Sequence, residues 1–186
     1  VKRAVLVRSA ASVAAASVFA MAAVAVTGAC SSSPDTARTT TIITPDYNAF
    51  KGTANGSVEA FLERRCATLD CHGQVGRPLR LYSRTGLRFA DDAQNPPGGA
   101  GTTETELQAN FQAVVGVEPE QTSRVVHDPT NNPPQTLLIV KKPRAMERHK
   151  GGQVVIAGDD GDRCLTSWLS GATDFAACQS ASAPGL

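Results

Sequence analysis

Arg65-Cys66-Ala67-Thr68-Leu69-Asp70-Cys71-His72-Gly73 is the stretch on which the reading of this chain turns. Four residues separate its two thiols, and the second thiol is followed at once by an imidazole. A His abutting a Cys is awkward geometry for zinc, which wants four donors at workable spacing. A thiol and an imidazole beside it can still act together on one bound group. The competing chemistry is a local disulfide, with His72 merely adjacent. Choosing between them starts with the compartment in which the cysteines work.

The N-terminus answers that question. Lys2, Arg3 and Arg8 form a positive region, and Ala10 to Val26 is uncharged and mostly apolar. Thr27-Gly28-Ala29-Cys30 follows, and then Ser31, Ser32, Ser33 and Pro34. A short apolar run ending in small residues reads as a secretory signal rather than a spanning helix, and alanine is a poor substitute for leucine in a true span. Cys30 directly after Gly-Ala resembles the bacterial lipobox, in which the Cys becomes the lipidated first residue; Thr27 stands where that pattern usually has Leu. The expected organisation is a leader over 1–29, a flexible tether over 30–54, one domain over 55–180 and a tail over 181–186. Lipid on Cys30 anchors the chain to a membrane of the cell envelope in this reading. Beyond Cys30, the oxidising compartment leaves Cys66, Cys71, Cys164 and Cys178 to explain.

Charge narrows the function. Three of the 18 basic residues lie in the leader, which leaves 15 against 17 acidic residues, a net of −2. Nothing in that balance calls for nucleic acid. No Gly-rich segment ends in Lys-Ser or Lys-Thr, and no Gly-x-Ser-x-Gly elbow is present, so phosphate-binding loops and serine hydrolase chemistry lack their residues. The run Gly158 to Asp162 lacks the spacing of a calcium loop and reads as a helix cap.

Periodicity predicts a mostly α domain. Val58, Phe61 and Leu62 share one helical face behind Ser57 as N-cap, and this helix leads into Cys66. The segment 76–90 reads as extended or looped, and 94–101, with its Pro and Gly residues, as a loop. Thr103 and Glu106 fit a capping box ahead of the stripe Leu107, Phe111, Val114 and Val115, with Gly116 at its end. His127 to Pro134 is a further loop, and 136–140 a short helix or strand. Asp159 or Asp160 caps a last helix whose face carries Cys164, Leu165, Trp168 and Leu169. Cys164 and Cys178 are spaced for a disulfide that pins the tail onto that helix; pairing of Cys178 with Cys66 or Cys71 stays open at this stage.

Two Cys followed at once by His is the usual signature of covalent haem. Two thiols form thioethers with the vinyl groups, and the adjacent imidazole lies under the iron. Here the usual spacing of two residues is widened to four, so the extra residues must loop out. On these residues the chain resembles the c-type cytochromes. A helix leads into the first Cys, irregular chain follows, and an amphipathic helix carrying Trp168 closes the domain, in the general order of a class I cytochrome c with long loops. The chain is also similar to haem-binding lipoprotein domains that carry Cys-His-Gly early and His-x-Gly-Gly before the last helix, here His149-Lys150-Gly151-Gly152. The likeness spans about 56–171 and is specific at 66–73.

That resemblance implies haem c held by Cys66 and Cys71, with His72 as proximal ligand. His149 is the favoured distal ligand, since the two glycines after it let backbone approach a flat ring. Met146 is the alternate, and a Met ligand would raise the reduction potential. His127, beside Asp128-Pro129, reads as a surface loop residue. Lys141, Lys142, Arg144, Arg148 and Lys150 read first as a solvated face, and secondarily as partners for haem propionates or an acidic redox protein. The implied activity is electron transfer with a redox partner protein and no substrate chemistry. Two other readings remain: a disulfide-stapled, non-haem envelope lipoprotein with a binding or structural role, and a haem with an open sixth position acting on peroxide.

Overall fold

The computed structural model describes residues 41–52, 56–89 and 101–183. The leader 1–29, Cys30 and most of the expected tether lie outside the described residues. Chain contacts divide into two units, Val1–Thr41 and Ile42–Leu186, and all the elements below belong to the second.

Seven α-helices follow one another among the described residues, with no strand between them. They are α1 Tyr47–Lys51, α2 Val58–Arg65, α3 Glu104–Val115, α4 Pro119–His127, α5 Leu138–Lys141, α6 Asp160–Leu169 and α7 Phe175–Ser182. A single 3-10 turn, Pro134–Thr136, precedes α5. The segment between α2 and α3 is irregular, with one isolated bridge between Tyr82 and Leu87. The expected mostly α character holds. No described helix is long and apolar enough to cross a membrane.

Local chemistry accounts for the main helices. Ser57 Oγ accepts from the Ala60 amide at 3.0 Å and starts α2. Thr103 and Glu106 close the capping box of α3 reciprocally. Asp159 accepts from the Asp162 amide at 2.8 Å and starts α6. Each satisfies amides that a helix start leaves without partners. Val58, Phe61 and Leu62 of α2 are buried, as are Cys164, Leu165, Trp168 and Leu169 of α6. The two helices meet at Gly161. A Cβ there would sit 2.8 Å from Phe61 Cε2 and from Val155 Cγ1, so only glycine allows the approach.

Two boundaries differ from expectation. The tether does not run to residue 54, because Asp46 caps α1 and Phe50 is fully buried. Its ring lies 5.4 Å from those of Phe111 and Trp168, and the Trp168 indole donates to Asp46 O at 2.9 Å. The domain therefore begins before residue 46. At the other end, α6 is not the last helix. Asp174 caps α7, whose Ala177, Cys178 and Ala181 are buried, so the ordered chain passes the expected limit of 180. The Cys164–Cys178 disulfide joins α6 to α7, with Cα atoms 4.7 Å apart.

A polar network fills part of the interior. Arg88 donates through Nε and one Nη to both carboxylate oxygens of Glu106, at 2.9 and 2.8 Å, in a fully buried pair. Asn110 accepts from the Tyr82 amide at 2.7 Å, and donates to Tyr82 O at 2.7 Å and to Glu59 Oε1 at 2.8 Å. Its side chain replaces the sheet partner that the extended Tyr82 backbone lacks.

Candidate functional site

The end of α2 delivers Cys66 into a tight loop. Cys66 N donates to Leu62 O at 2.8 Å, and the chain then turns so that His72 N donates back to Cys66 O at 2.9 Å. Thr68 O accepts from both Cys71 N and Gly73 N, at 3.0 and 2.9 Å. Leu69, 60% exposed, and Asp70 stand outside this turn. The widened spacing is thus absorbed by residues that project from the loop. Gly73 is obligatory: a Cβ there would lie 2.1 Å from Ala67 O. Ser83 Oγ donates to the same carbonyl at 2.6 Å and fixes the loop from beneath.

Beside the loop lies a cavity of about 440 Å³, in the size range of small-molecule and cofactor sites. One wall is α2 and the loop, with Phe61, Leu62, Arg65, Cys66, Cys71 and His72. The opposite wall comes from α5 and the chain after it, with Leu138, Ile139, Lys142, Pro143, His149 and Val154. Leu79 and Leu165 add further apolar surface. The structure therefore brings together Cys66, Cys71, His72 and His149, residues separated by up to 83 positions in the chain.

The two imidazoles are arranged alike. Their ring centroids are 6.1 Å apart and their planes are 13° from parallel. His72 Nδ1 lies 2.9 Å from Leu79 O, and His149 Nδ1 lies 2.8 Å from Gly152 O. A carbonyl only accepts, so each Nδ1 carries a proton, which in a neutral imidazole leaves the lone pair on Nε2. Hydrogen bonding of the second ring nitrogen to a carbonyl is the usual support of a metal-ligating histidine. A metal held between two imidazoles would set their ring centres about 6 Å apart, from about 2 Å per metal–nitrogen bond and about 1 Å from nitrogen to ring centre.

Electrostatics favour neutral ligands. Burial pulls the His72 pKa below its ordinary value, outweighing the hydrogen bond to Leu79. Burial likewise pushes the Cys66 thiol up to about 12, with Cys71 adding to the effect. Both Cys66 and Cys71 are unpaired thiols. A protonated His72 would lose its lone pair, so desolvation keeps it competent as a donor at neutral pH.

The loop that carries His149 is closed at its base. Val154 N and Val155 N both donate to Pro143 O, at 2.8 and 3.1 Å. Arg144 holds Asp162 of α6 through a bidentate pair at 2.6 and 2.7 Å. The basic window is therefore not a uniformly solvated face: Arg144 is buried in an ion pair, and Lys142 lines the cavity. Met146 is 62% exposed and does not line the cavity. His127 is exposed at the end of α4, outside the cavity wall.

Among the described residues no three His, Cys, Asp or Glu side chains gather as a self-sufficient metal site. Haem does not need such a group, because the macrocycle supplies the remaining donors. The donor set present, two thiols and two Nε2 lone pairs in an apolar cavity, fits that group. Sequence reasoning missed Arg65 as a cavity residue, and took Lys142 only as one of a basic window whose secondary reading was pairing with haem propionates or an acidic redox protein. Arg65 reads locally as a cation complementing the end of α2, and Lys142 as one of a surface cluster. Comparison of the chain with protein-family models, with characterised proteins and with solved structures gave no match in any of the three.

Proposed function

We propose that the chain is a haem-binding, electron-transfer lipoprotein of the bacterial cell envelope, similar in plan to class I cytochrome c. Cys66 and Cys71 hold the haem as thioethers, His72 is the proximal ligand and His149 the distal one. The observation that carries this reading is the pair of Nδ1-protonated imidazoles, 6.1 Å apart, in a cavity that also holds both thiols. When bound, haem supplies one-electron chemistry between ferrous and ferric iron.

The chain's own residues do the rest. Leu79 O and Gly152 O fix the two imidazoles in one tautomer, so neither has to reorganise as charge changes. Leu62, Leu79, Leu138 and Leu165 exclude water from the cavity. With His72 and His149 both holding the iron there would be no open position for peroxide, which favours electron transfer to a redox partner protein over catalysis. The leader and Cys30 supply the lipid anchor, and the Cys164–Cys178 disulfide suits an oxidising compartment.

The test is a pyridine haemochrome spectrum of the mature protein, made in a host with c-type maturation machinery, beside a Cys66→Ala, Cys71→Ala control. The expected result is a haem band that survives acid-acetone extraction and is lost from the control. A colourless protein from a host that matures other c-type cytochromes would overturn the reading.

A further inference from the structure

Several cations of this domain have a carboxylate partner: Lys51 is paired with Glu104, Arg88 with Glu106, Arg144 with Asp162, Lys141 with Glu147, and Arg163 with Asp160. Arg65 and Lys142 share the lack of one with other cations, Arg64 and Arg80 among them, and are set apart by their position. Both line the 440 Å³ cavity, and among the described residues neither has a carboxylate partner. Arg65 donates one Nη to Val154 O at 3.1 Å, and Lys142 Nζ donates to Arg148 O at 3.2 Å. Each uses one donor on a backbone carbonyl. A guanidinium has five N–H donors and an ammonium three, so both keep donors in reserve.

No Asp or Glu lines the cavity. Its wall is apolar except for two thiols, two imidazoles and the side chains of Arg65 and Lys142. Either cation, swung into that wall, would be costly to hold there unless an anion met it. The helix-end explanation covers Arg64, which is exposed in the same last turn, but not the presence of Arg65 in the cavity wall. The wall is complementary to a ligand with a flat apolar body and two carboxylates. Haem has that form, its two propionates extending from one edge of the ring.

We infer that Arg65 and Lys142 are the propionate-binding residues of this cavity, and that they fix which edge of the haem faces the gap between α2 and the chain following α5. The inference rests on the haem reading given above. Arg65 takes its carboxylate with a planar fork, and Lys142 takes the other as a point charge. Their positions set the ring's orientation about the His72–His149 axis, and so which vinyl group meets Cys66 and which meets Cys71.

The experiment is resonance Raman spectroscopy of the matured holoprotein, following the propionate bending mode. Arg65→Gln and Lys142→Gln are compared with wild type, with Arg163→Gln as a control cation outside the cavity. The expected result is loss of the wild-type band in each cavity variant, replaced by a band at lower frequency, and an unchanged band in the control. Arg65→Lys and Lys142→Arg keep the charge and are expected to restore most of the shift. If the glutamine variants do not mature while the charge-keeping ones do, the requirement for a cation at these positions is supported directly. A coloured protein with the same propionate band in wild type and both glutamine variants overturns the assignment and leaves the haem reading standing. A colourless wild-type protein overturns both.

Discussion

His72 and His149 stand 77 positions apart in the chain, and each donates its Nδ1 proton to a backbone carbonyl a few residues further on, Leu79 O and Gly152 O. Two loops of unrelated sequence have arrived at the same support for an imidazole. If the chain holds haem as proposed, His149→Ala is expected to open the sixth position. The absorption spectrum should change from six-coordinate low-spin to high-spin, and the variant should bind carbon monoxide and cyanide where the wild type does not. His149→Met should instead raise the reduction potential in a redox titration.

Gly73→Ala should abolish maturation. The added methyl would lie 2.1 Å from Ala67 O, a carbonyl already held by Ser83 Oγ. The turn that brings Cys66 and Cys71 to one cavity cannot form around that contact. The expected yield of covalent haem is nil, measured by the extraction-resistant band, with the helices retained by circular dichroism.

Phe50→Ala tests where the domain begins. Phe50 is fully buried against Phe111 and Trp168. Truncating a buried aromatic ring typically costs about 3–5 kcal/mol. A loss of that size in urea unfolding is expected, whereas a tether residue would cost nothing measurable.

The Cys164–Cys178 bridge closes a short loop with a sequence separation of 14. Replacing both residues with Ala should lower unfolding stability by about 3 kcal/mol in the chain-entropy account. Reductant should have the same effect on the wild type and none on the variant.

Glu59 gives the domain a pH dependence. Burial raises its carboxyl to about 8, against the pull of the Asn110 hydrogen bond and with the help of Glu63 and Glu106. The folded pKa lies above the model-peptide value of 4.5, so the folded chain holds the proton more tightly than the unfolded one. Stability is full below about pH 4.5 and is lost as pH rises toward 8, at up to about 1.4 kcal/mol per pH unit. Glu59→Gln, which mimics the protonated form, should flatten that fall in thermal or urea unfolding measured from pH 4.5 to 8.

How much of this was legible depended on the kind of signal. The helix faces of α2 and α6 repeat apolar residues at helical spacing, and Ser57, Thr103 and Asp159 cap where such residues should. The helix α4 buries Thr122, Ser123 and Val125, so no apolar stripe announces it. A five-residue helix in a polar stretch, α1, is invisible until Phe50 is seen against Trp168. Glu59, Glu106, Arg88 and Asn110 are residue types that belong on surfaces, and only tertiary contact makes them interior. In the site, adjacency in sequence exposed Cys71 and His72, and the paired glycines pointed to His149. Arg65 carries no such mark, because a lone cation in a basic neighbourhood has no local pattern, and Lys142 was legible only as one member of a basic window.

The hydrogen bond from Trp168 to Asp46 gives the chain an optical property. Trp168 is the only tryptophan, and its indole is wedged between Phe50 and Phe111 on the α6 face that also carries Cys164. Its emission colour follows the docking of α1, since undocking would expose the ring to water. A porphyrin in the neighbouring cavity would accept its excitation energy and darken it. The same fluorophore would thus record by wavelength whether the N-terminal helix is seated, and by brightness whether the proposed haem is bound.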